Sequence, residues 1–294
     1  MPASLLDIIK KKVMLLDGAM GTELMRAGLA WGECPEAWNV DRPEAVKDIE
    51  RRYYEAGSDA VVTNTFGGNP IKLAAYGLEQ RCLEFNLAGA RLAREVRPEG
   101  CFVGGDLGPT GKFLKPMGDY EESRFEEAFA AQAAALNEGG VDFFIIETMY
   151  DLREALCAVR ACRKASSLPV FATMTFNKSP RGFFTLMGDS PSKCLKALEQ
   201  EGAAAVGANC SLDSEAMVEL VKAMRGETDL PLIAQPNSGQ PEVLGGRQVA
   251  YSQGREDYVR HIVRIIEYGA RIVGGCCGTD PLTIRRLAEI INKT

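Results

Sequence analysis

What most constrains this chain of 294 residues is an alternation of two hydrophobic periods along nearly its whole length. Short apolar runs rich in β-branched and aromatic residues occupy 13–16, 60–63, 102–105, 143–146, 170–174, 204–208, 232–234 and 272–274. Between them, segments such as 43–56, 124–138, 152–165, 191–200, 214–224, 255–268 and 281–291 place apolar residues three or four apart, the spacing of a helix with one buried face. Several close on a glycine, Gly57, Gly139, Gly202 or Gly269, where a left-handed C-cap is expected. Eight strand-then-helix units within about 280 residues, with no linker, low-complexity tract or change of composition, predict an α/β chain folded as a (β/α)8 TIM barrel, a single domain over residues 1–294. A doubly wound open sheet is the competing architecture.

The placement of reactive side chains favours the barrel. Asp17, Asn64, Asp106, Glu147, Asn209 with Cys210, Gln235 with Asn237, and the pair Cys276 and Cys277 each follow directly after an apolar run. In a barrel these positions form one ring around the C-terminal mouth, where barrel enzymes keep their active sites. In an open sheet they would form a line.

Charge and length exclude several partners. The chain has 34 Lys and Arg against 40 Asp and Glu, a net charge of −6, and no basic block, so the electrostatic footprint of nucleic-acid binding is missing. The start, MPASLLDIIKKK, breaks its apolar residues with Asp7 and the lysines at 10–12, which fits a short amphipathic helix capped by Ser4 better than a signal-peptide core. No apolar stretch approaches the roughly 20 residues that a membrane-spanning helix needs. A cytoplasmic protein that binds no membrane is expected. Of nine cysteines, Cys34, Cys82, Cys101, Cys157, Cys162 and Cys194 are scattered without regular spacing, as buried small hydrophobes in a reducing compartment would be.

The other three carry the chemistry. Cys210 closes the sixth apolar run and Cys276 and Cys277 follow the eighth, so thiolates on alternate barrel strands can converge on one point. One strand cannot aim two adjacent sulfurs the same way. Gly274, Gly275 and Gly278 relax the backbone there, so a turn could swing both toward that point. Three soft anionic ligands suit Zn2+ at about 2.3 Å and leave a fourth tetrahedral corner for water or substrate. Three thiolates give such a site a net charge of −1, which favours holding a substrate thiol as its thiolate over acidifying water. Two other readings fit the same residues: Cys276 and Cys277 as buried neighbours, or as a strained vicinal disulfide, with Cys210 unrelated.

Seven ordered stretches, LLDGAMGTEL (15–24), TNTF (63–66), GDLGPTG (105–111), IIETMYD (145–151), GANCSL (207–212), QPNSGQP (235–241) and GGCCGTDP (274–281), resemble the motif set of zinc-dependent homocysteine S-methyltransferases. The likeness is closest to the homocysteine-binding module of cobalamin-dependent methionine synthase and covers nearly the whole chain. The resemblance implies that Cys210, Cys276 and Cys277 ligate zinc, with the L-homocysteine thiolate at the fourth corner. It implies that Asp17 and Glu147 hold the substrate ammonium and that backbone N–H groups around Ala19 and Met20 receive its carboxylate. Asn209 and Asn237 are candidates to orient substrate. After GANCSL the chain continues DSE where many members have Gly-Pro-Glu, so the loop after the sixth strand is expected to differ locally.

The implied reaction is a direct displacement in which the homocysteine thiolate takes a methyl group and becomes L-methionine. The cobalamin module's D-x-H-x-x-G signature is absent, because the one histidine, His261, lies in VRHIVRI. The methyl donor is therefore expected to be methylcobalamin carried by a separate corrinoid protein or module. The alternative is a stand-alone enzyme using S-methylmethionine, S-adenosylmethionine or betaine. The segment 108–122 after the third strand is a candidate cover for the substrate or contact for the donor. Two readings from other classes are a non-catalytic zinc or thiol sensor, and a Schiff-base aldolase, which would need a strand lysine that no apolar run contains.

Overall fold

The eight apolar runs become the strands of one parallel sheet: β1 Met14–Leu15, β2 Ala60–Val62, β3 Phe102–Leu107, β4 Phe143–Met149, β5 Val170–Met174, β6 Ala205–Asp213, β7 Leu232–Asn237 and β8 Ala270–Val273. This is a computed structural model describing residues 5–244 and 248–291; Ser4, the expected first helix cap, lies outside the described residues. The strands run β1–β8–β7–β6–β5–β4–β3–β2, every ladder parallel. Between β1 and β2 the barrel is closed largely by two aspartates. Asp59 donates its N–H to Leu15 O at 2.7 Å, and its Oδ2 accepts from Leu15 N at 2.9 Å. One turn nearer the mouth, Asp17 Oδ2 accepts from Val62 N at 2.8 Å.

Strand parity sorts the interior. Met14, Leu16, Ala60, Val62, Phe143, Ile145, Phe171, Ala205, Ile233 and Ile272 form one apolar cluster inside the barrel. Gly104 makes room for it, since a Cβ there would lie 2.6 Å from the Phe143 ring. The N-terminal helix Leu5–Lys11 adds Leu5 and Ile9 to this cluster and so plugs the bottom. Arg271 on β8 holds it there through the carbonyls of Ile9 and Lys10.

The outer layer is set by amphipathic helices. Leu152–Ala165, Ser214–Met224 and Pro281–Ile291 begin and end where the periodicity places them, and Pro43–Glu55, Glu122–Gly139, Pro191–Glu201 and Arg255–Glu267 differ by one or two residues at an end. Their starts carry the expected chemistry: Asp151, Ser190 and Asp213 each accept a first-turn backbone N–H. Gly57, Gly202 and Gly269 take positive φ, but after Glu122–Gly139 the left-handed residue is Gly140, φ 85°, and Gly139 stays helical. A Cβ on Gly139 would collide with Ala90, so that glycine answers to helix packing rather than to the cap.

The helix Cys82–Val96 is not evident in the periodicity, because its buried face mixes Asn86 and Gly89 with Phe85, Ala90 and Ala93. Two short hairpins, Asn177–Ser179 with Gly182–Phe184 and Pro241–Leu244 with Gln248–Tyr251, rise from the loops after β5 and β7. Among the described residues no helix is long and apolar enough to cross a membrane.

Replacing Asp59 with Ala removes the acceptor for Leu15 N at the β1–β2 seam. An unsatisfied, partly buried N–H costs about 1–3 kcal/mol, and urea unfolding should show a loss of that size. Unchanged stability would mean that the seam closes without this carboxylate.

Candidate metal and substrate site

The inward parity that fills the barrel with Phe143 and Ile145 brings Glu147 next on β4, and on β3 it brings Asp106 after Gly104. Asp17 follows β1. These three acids line a single cavity of about 370 Å³ at the C-terminal mouth, together with Cys210, Cys276 and Cys277. Asn64 and Gln235 also reach it, so most of the ring expected from the strand ends is assembled. Asn209 and Asn237 are not on its wall; both are buried behind it.

The cysteines converge because the backbone bends out of regular strand geometry. Cys210 and Ser211 adopt φ of 57° and 56°, and Thr148, beside Glu147, adopts 60°. Left-handed backbone at a non-glycine residue costs on the order of 1–3 kcal/mol and persists only where surrounding contacts enforce it. The β6–β7 ladder shifts register between Asn209 and Asp213, and the β4–β5 ladder between Ile146 and Met149, so each unusual residue sits at a bulge. The bulge at 210 turns a side chain toward the mouth that strand alternation would place outside.

Cys276 and Cys277 lie beyond β8 in a turn, which resolves the problem of two adjacent sulfurs facing one point. Cys276 N donates to Pro236 O at 2.9 Å, Cys277 O accepts from Ser238 N at 2.9 Å, and Gly278 takes φ 85°. A side chain at Gly278 would run into the Tyr251 ring. All nine cysteines are free thiols, so the pair is not a vicinal disulfide. The three Sγ atoms lie within 4.8 Å of one another, with Cys210 and Cys277 3.9 Å apart. Four sulfurs at about 2.3 Å from one ion would be about 3.8 Å apart, so this donor set fits a tetrahedral soft cation. Hydrogen bonds from Cys210 and Cys276 hold the Cys277 thiol below its ordinary range, and contact with Cys210 and Cys277 pushes Cys276 up.

The acids show the opposite imbalance. Burial pushes Asp17 and Asp106 well up, and pushes Glu147 up to about 8, with the nearby Cys210 adding to it. Asp17 Oδ1 and Asp106 Oδ1 are buried with no hydrogen-bond partner. Among the described residues no Lys or Arg lines this cavity, so these three carboxyls have no positive partner on its wall. Ala19 N–H is occupied by Thr279 O at 3.1 Å, so the free N–H groups in this stretch are those opening the helix Met20–Arg26, from Met20, Gly21 and Thr22, all on the cavity wall.

Two residues near the site were not singled out from sequence. Tyr251, at the end of a hairpin strand, lines the cavity against the cysteine turn. Glu50 lies fully buried behind Asp17 with neither carboxylate oxygen partnered, and burial, with the charge of Asp17, pushes it well up. The available signal was a glutamate inside the apolar stripe Val46, Ile49, Tyr53. The segment 108–122 is tied down by Thr110 N to Glu154 Oε1 at 2.6 Å and by Arg153 to Lys115 O, and none of its residues lines the cavity. His261 bonds Ser214 Oγ at 2.8 Å, away from the sulfurs.

A family model described as homocysteine S-methyltransferase matches residues 14–291. Methionine synthase of Mycobacterium tuberculosis (strain ATCC 25618 / H37Rv) is 33% identical over 305 residues, covering 98% of this chain and 25% of that protein. Methionine synthase of Mycobacterium leprae (strain TN) is 32% identical over 307 residues with the same coverage. The chain thus spans about a quarter of the length of these curated relatives. Among solved structures, the metallated homocysteine methyltransferase MmuM from Escherichia coli superposes with a TM-score of 0.79 at 25% identity, covering 96% of this chain and 98% of that one. Its oxidized form gives 0.80 at 24% identity. With its motifs, its barrel and its sulfur cluster all within the matched residues, the chain belongs to the homocysteine S-methyltransferase family.

Proposed function

We propose that this chain transfers a methyl group to the sulfur of L-homocysteine, giving L-methionine, with Cys210, Cys276 and Cys277 holding Zn2+. One observation carries the reading: a sulfur trio suited to a soft cation shares a single cavity with acids that lack a counter-charge. An amino acid with a thiol at one end and an ammonium at the other satisfies both. Zinc, when bound, supplies a Lewis acid that keeps a thiol ionised at neutral pH.

The remaining work belongs to the chain. Asp17 and Glu147 receive the ammonium, and Asp106, whose Oδ1 is also free, stands beside them. The carboxylate is received by the N–H groups of Met20 and its helical neighbours, with Ala19 shaping the turn before them. Held at both ends, the homocysteine sulfur would be confined to one place in the mouth. A sulfur–carbon bond then forms as the carbon–donor bond breaks in line, and the electron pair of the broken bond stays with the donor. No protein acid or base acts at the methyl carbon; the contribution is positioning.

The donor reading is a methyl-corrinoid carried on another protein or module, since the similar curated proteins are methionine synthases of much greater length. A stand-alone enzyme using a small sulfonium or ammonium donor is the second reading, supported by the near-complete mutual coverage with MmuM. Nine free thiols accord with a cytoplasmic, reducing setting.

Single replacement of Cys210, Cys276 or Cys277 by Ala should lower zinc content from near stoichiometric, measured by atomic emission on purified protein; a variant that keeps wild-type zinc is not missing a ligand. Glu147→Gln should raise the homocysteine KM about 10- to 100-fold, as expected for losing a charged hydrogen-bond partner, while zinc content stays unchanged. Loss of metal instead would place Glu147 in the metal site. Assays of methionine formed from methylcobalamin, S-methylmethionine, S-adenosylmethionine and betaine should show turnover with the corrinoid alone. Faster turnover with a sulfonium or betaine selects the stand-alone reading.

A further inference from the structure

Asn209 is fully buried, absent from the cavity wall, and has every hydrogen-bonding position of its amide engaged. Its Oδ1 accepts from Thr148 N and from Thr173 Oγ1, both at 2.7 Å. One hydrogen of Nδ2 goes to Thr148 Oγ1 at 2.8 Å, and Nδ2 lies 3.9 Å from Cys276 Sγ, within reach of a sulfur acceptor for the other. Its own backbone carbonyl accepts from Thr175 Oγ1 at 2.9 Å. The amide therefore joins a left-handed residue on β4, a hydroxyl on β5 and a sulfur of the trio, while Thr175 holds the backbone immediately before left-handed Cys210.

Its neighbours in sequence and space make this arrangement consequential. Thr148 follows Glu147, and Cys210 follows Asn209. Both bulges depart from the regular ladder at the point where the Asn209 amide joins them. No glycine stands at 148, 210 or 211 to make positive φ easy, so the conformation has to be held by contacts. The bonds that Asn209 accepts from Thr148 N and donates to Thr148 Oγ1 are those contacts for β4. For β6 they anchor the residue that leads into the bend.

We propose that Asn209 is a positioning residue that clamps the bulged ends of β4 and β6 together and directs an N–H at Cys276 Sγ, so that one amide sets both a metal-ligating sulfur and the substrate-facing carboxyl of Glu147. This rests on the function proposed above. It assigns Asn209 a place behind the reacting groups and not a contact with homocysteine. An N–H directed at a thiolate sulfur draws charge from it, and partners of this kind orient ligands and adjust the metal they hold. Coupling the two strand ends means that a shift of the sulfur cluster moves the ammonium site with it.

Cobalt-substituted full-length protein tests this before any methyl donor is added. Asn209→Leu is close to isosteric and removes all four amide contacts. It should weaken cobalt and zinc affinity about 10- to 100-fold in chelator competition, displace the sulfur-to-cobalt charge-transfer band of the substrate-free protein and, once a donor is supplied, both raise the homocysteine KM and lower kcat. Thr173→Val removes only one donor to Oδ1 and should give a smaller change in the same direction; it carries the test if the Leu variant does not fold, judged by circular dichroism. Wild-type metal affinity and an unmoved band in a folded variant, with only KM raised, would make Asn209 a substrate contact and overturn the proposal. A lowered Tm with band and affinity unmoved would overturn it in favour of a purely structural role. If wild-type protein takes up no cobalt, the metal site and this proposal fall together. If it takes up cobalt but forms no methionine, the methyl-transfer reading fails alone and the band still reports on Asn209.

Discussion

The site depends on bringing three sulfurs from two different strand ends to one point, and regular β geometry cannot do that. Alternation on β6 sends Asn209 inward and Cys210 outward, and a straight β8 would split Cys276 from Cys277. The protein solves the two problems differently. After β8 it leaves strand geometry altogether, with Gly278 at positive φ and the turn fixed by carbonyl and amide partners on the β7 end. On β6 it interrupts the ladder with a bulge, accepts left-handed backbone at Cys210 and Ser211, and resumes pairing at Asp213. The second solution is the more costly, which is why it needs a buried, fully bonded amide beside it.

The acidic side of the cavity follows from the same economy of placement. Inward parity delivers apolar side chains to the barrel interior up to the last layer and then delivers Asp106 and Glu147. Removing carboxyls from water without a partner favours their neutral forms, so burial opposes ionisation of Asp17, Asp106 and Glu147 together. A ligand carrying a positive group reverses this by supplying what the walls lack. The sulfur trio has the complementary need, for a soft cation. The proposed two-ended ligand and one metal ion would balance both.

Much of this was legible in the chain. Strands of a parallel barrel are buried on both faces, so they read as unbroken apolar runs, and all eight were visible as such. The residues at the ends of those runs gave the ring, because a barrel converts sequence position after a strand into position around a mouth. What sequence did not disclose depends on contacts between distant segments. Nothing in GANCSL or IIETMYD announces positive φ, since the residues concerned are Cys210, Ser211 and Thr148 and not glycine. Asn209 looked like a substrate contact for the same reason: its position after an inward-facing run is right, and only the Thr148, Thr173 and Cys276 contacts show its amide to be engaged elsewhere. Tyr251 belongs to a hairpin too short for a period to emerge, and Gly139 and Gly140 could not be told apart without the packing against Ala90.

Asp17 links the two halves of the molecule's problem. Its Oδ2 holds Val62 N at the seam where the eight-stranded sheet closes, and its Oδ1 is buried without a partner beside the cavity. The same carboxyl therefore serves the fold through one oxygen and is open to a ligand through the other. Glu50, buried behind it with both oxygens unpaired, adds a second carboxyl that cannot share a negative charge with Asp17 at small cost. While Asp17 is neutral, its hydrogen bond from Val62 N is an ordinary one. A positive group beside Oδ1 would favour the ionised carboxylate, with its proton released to solvent, and that bond would then be charge-assisted and stronger. On the proposed reading, ligand binding at the mouth and closure of the barrel at β1–β2 would reinforce each other through a single side chain.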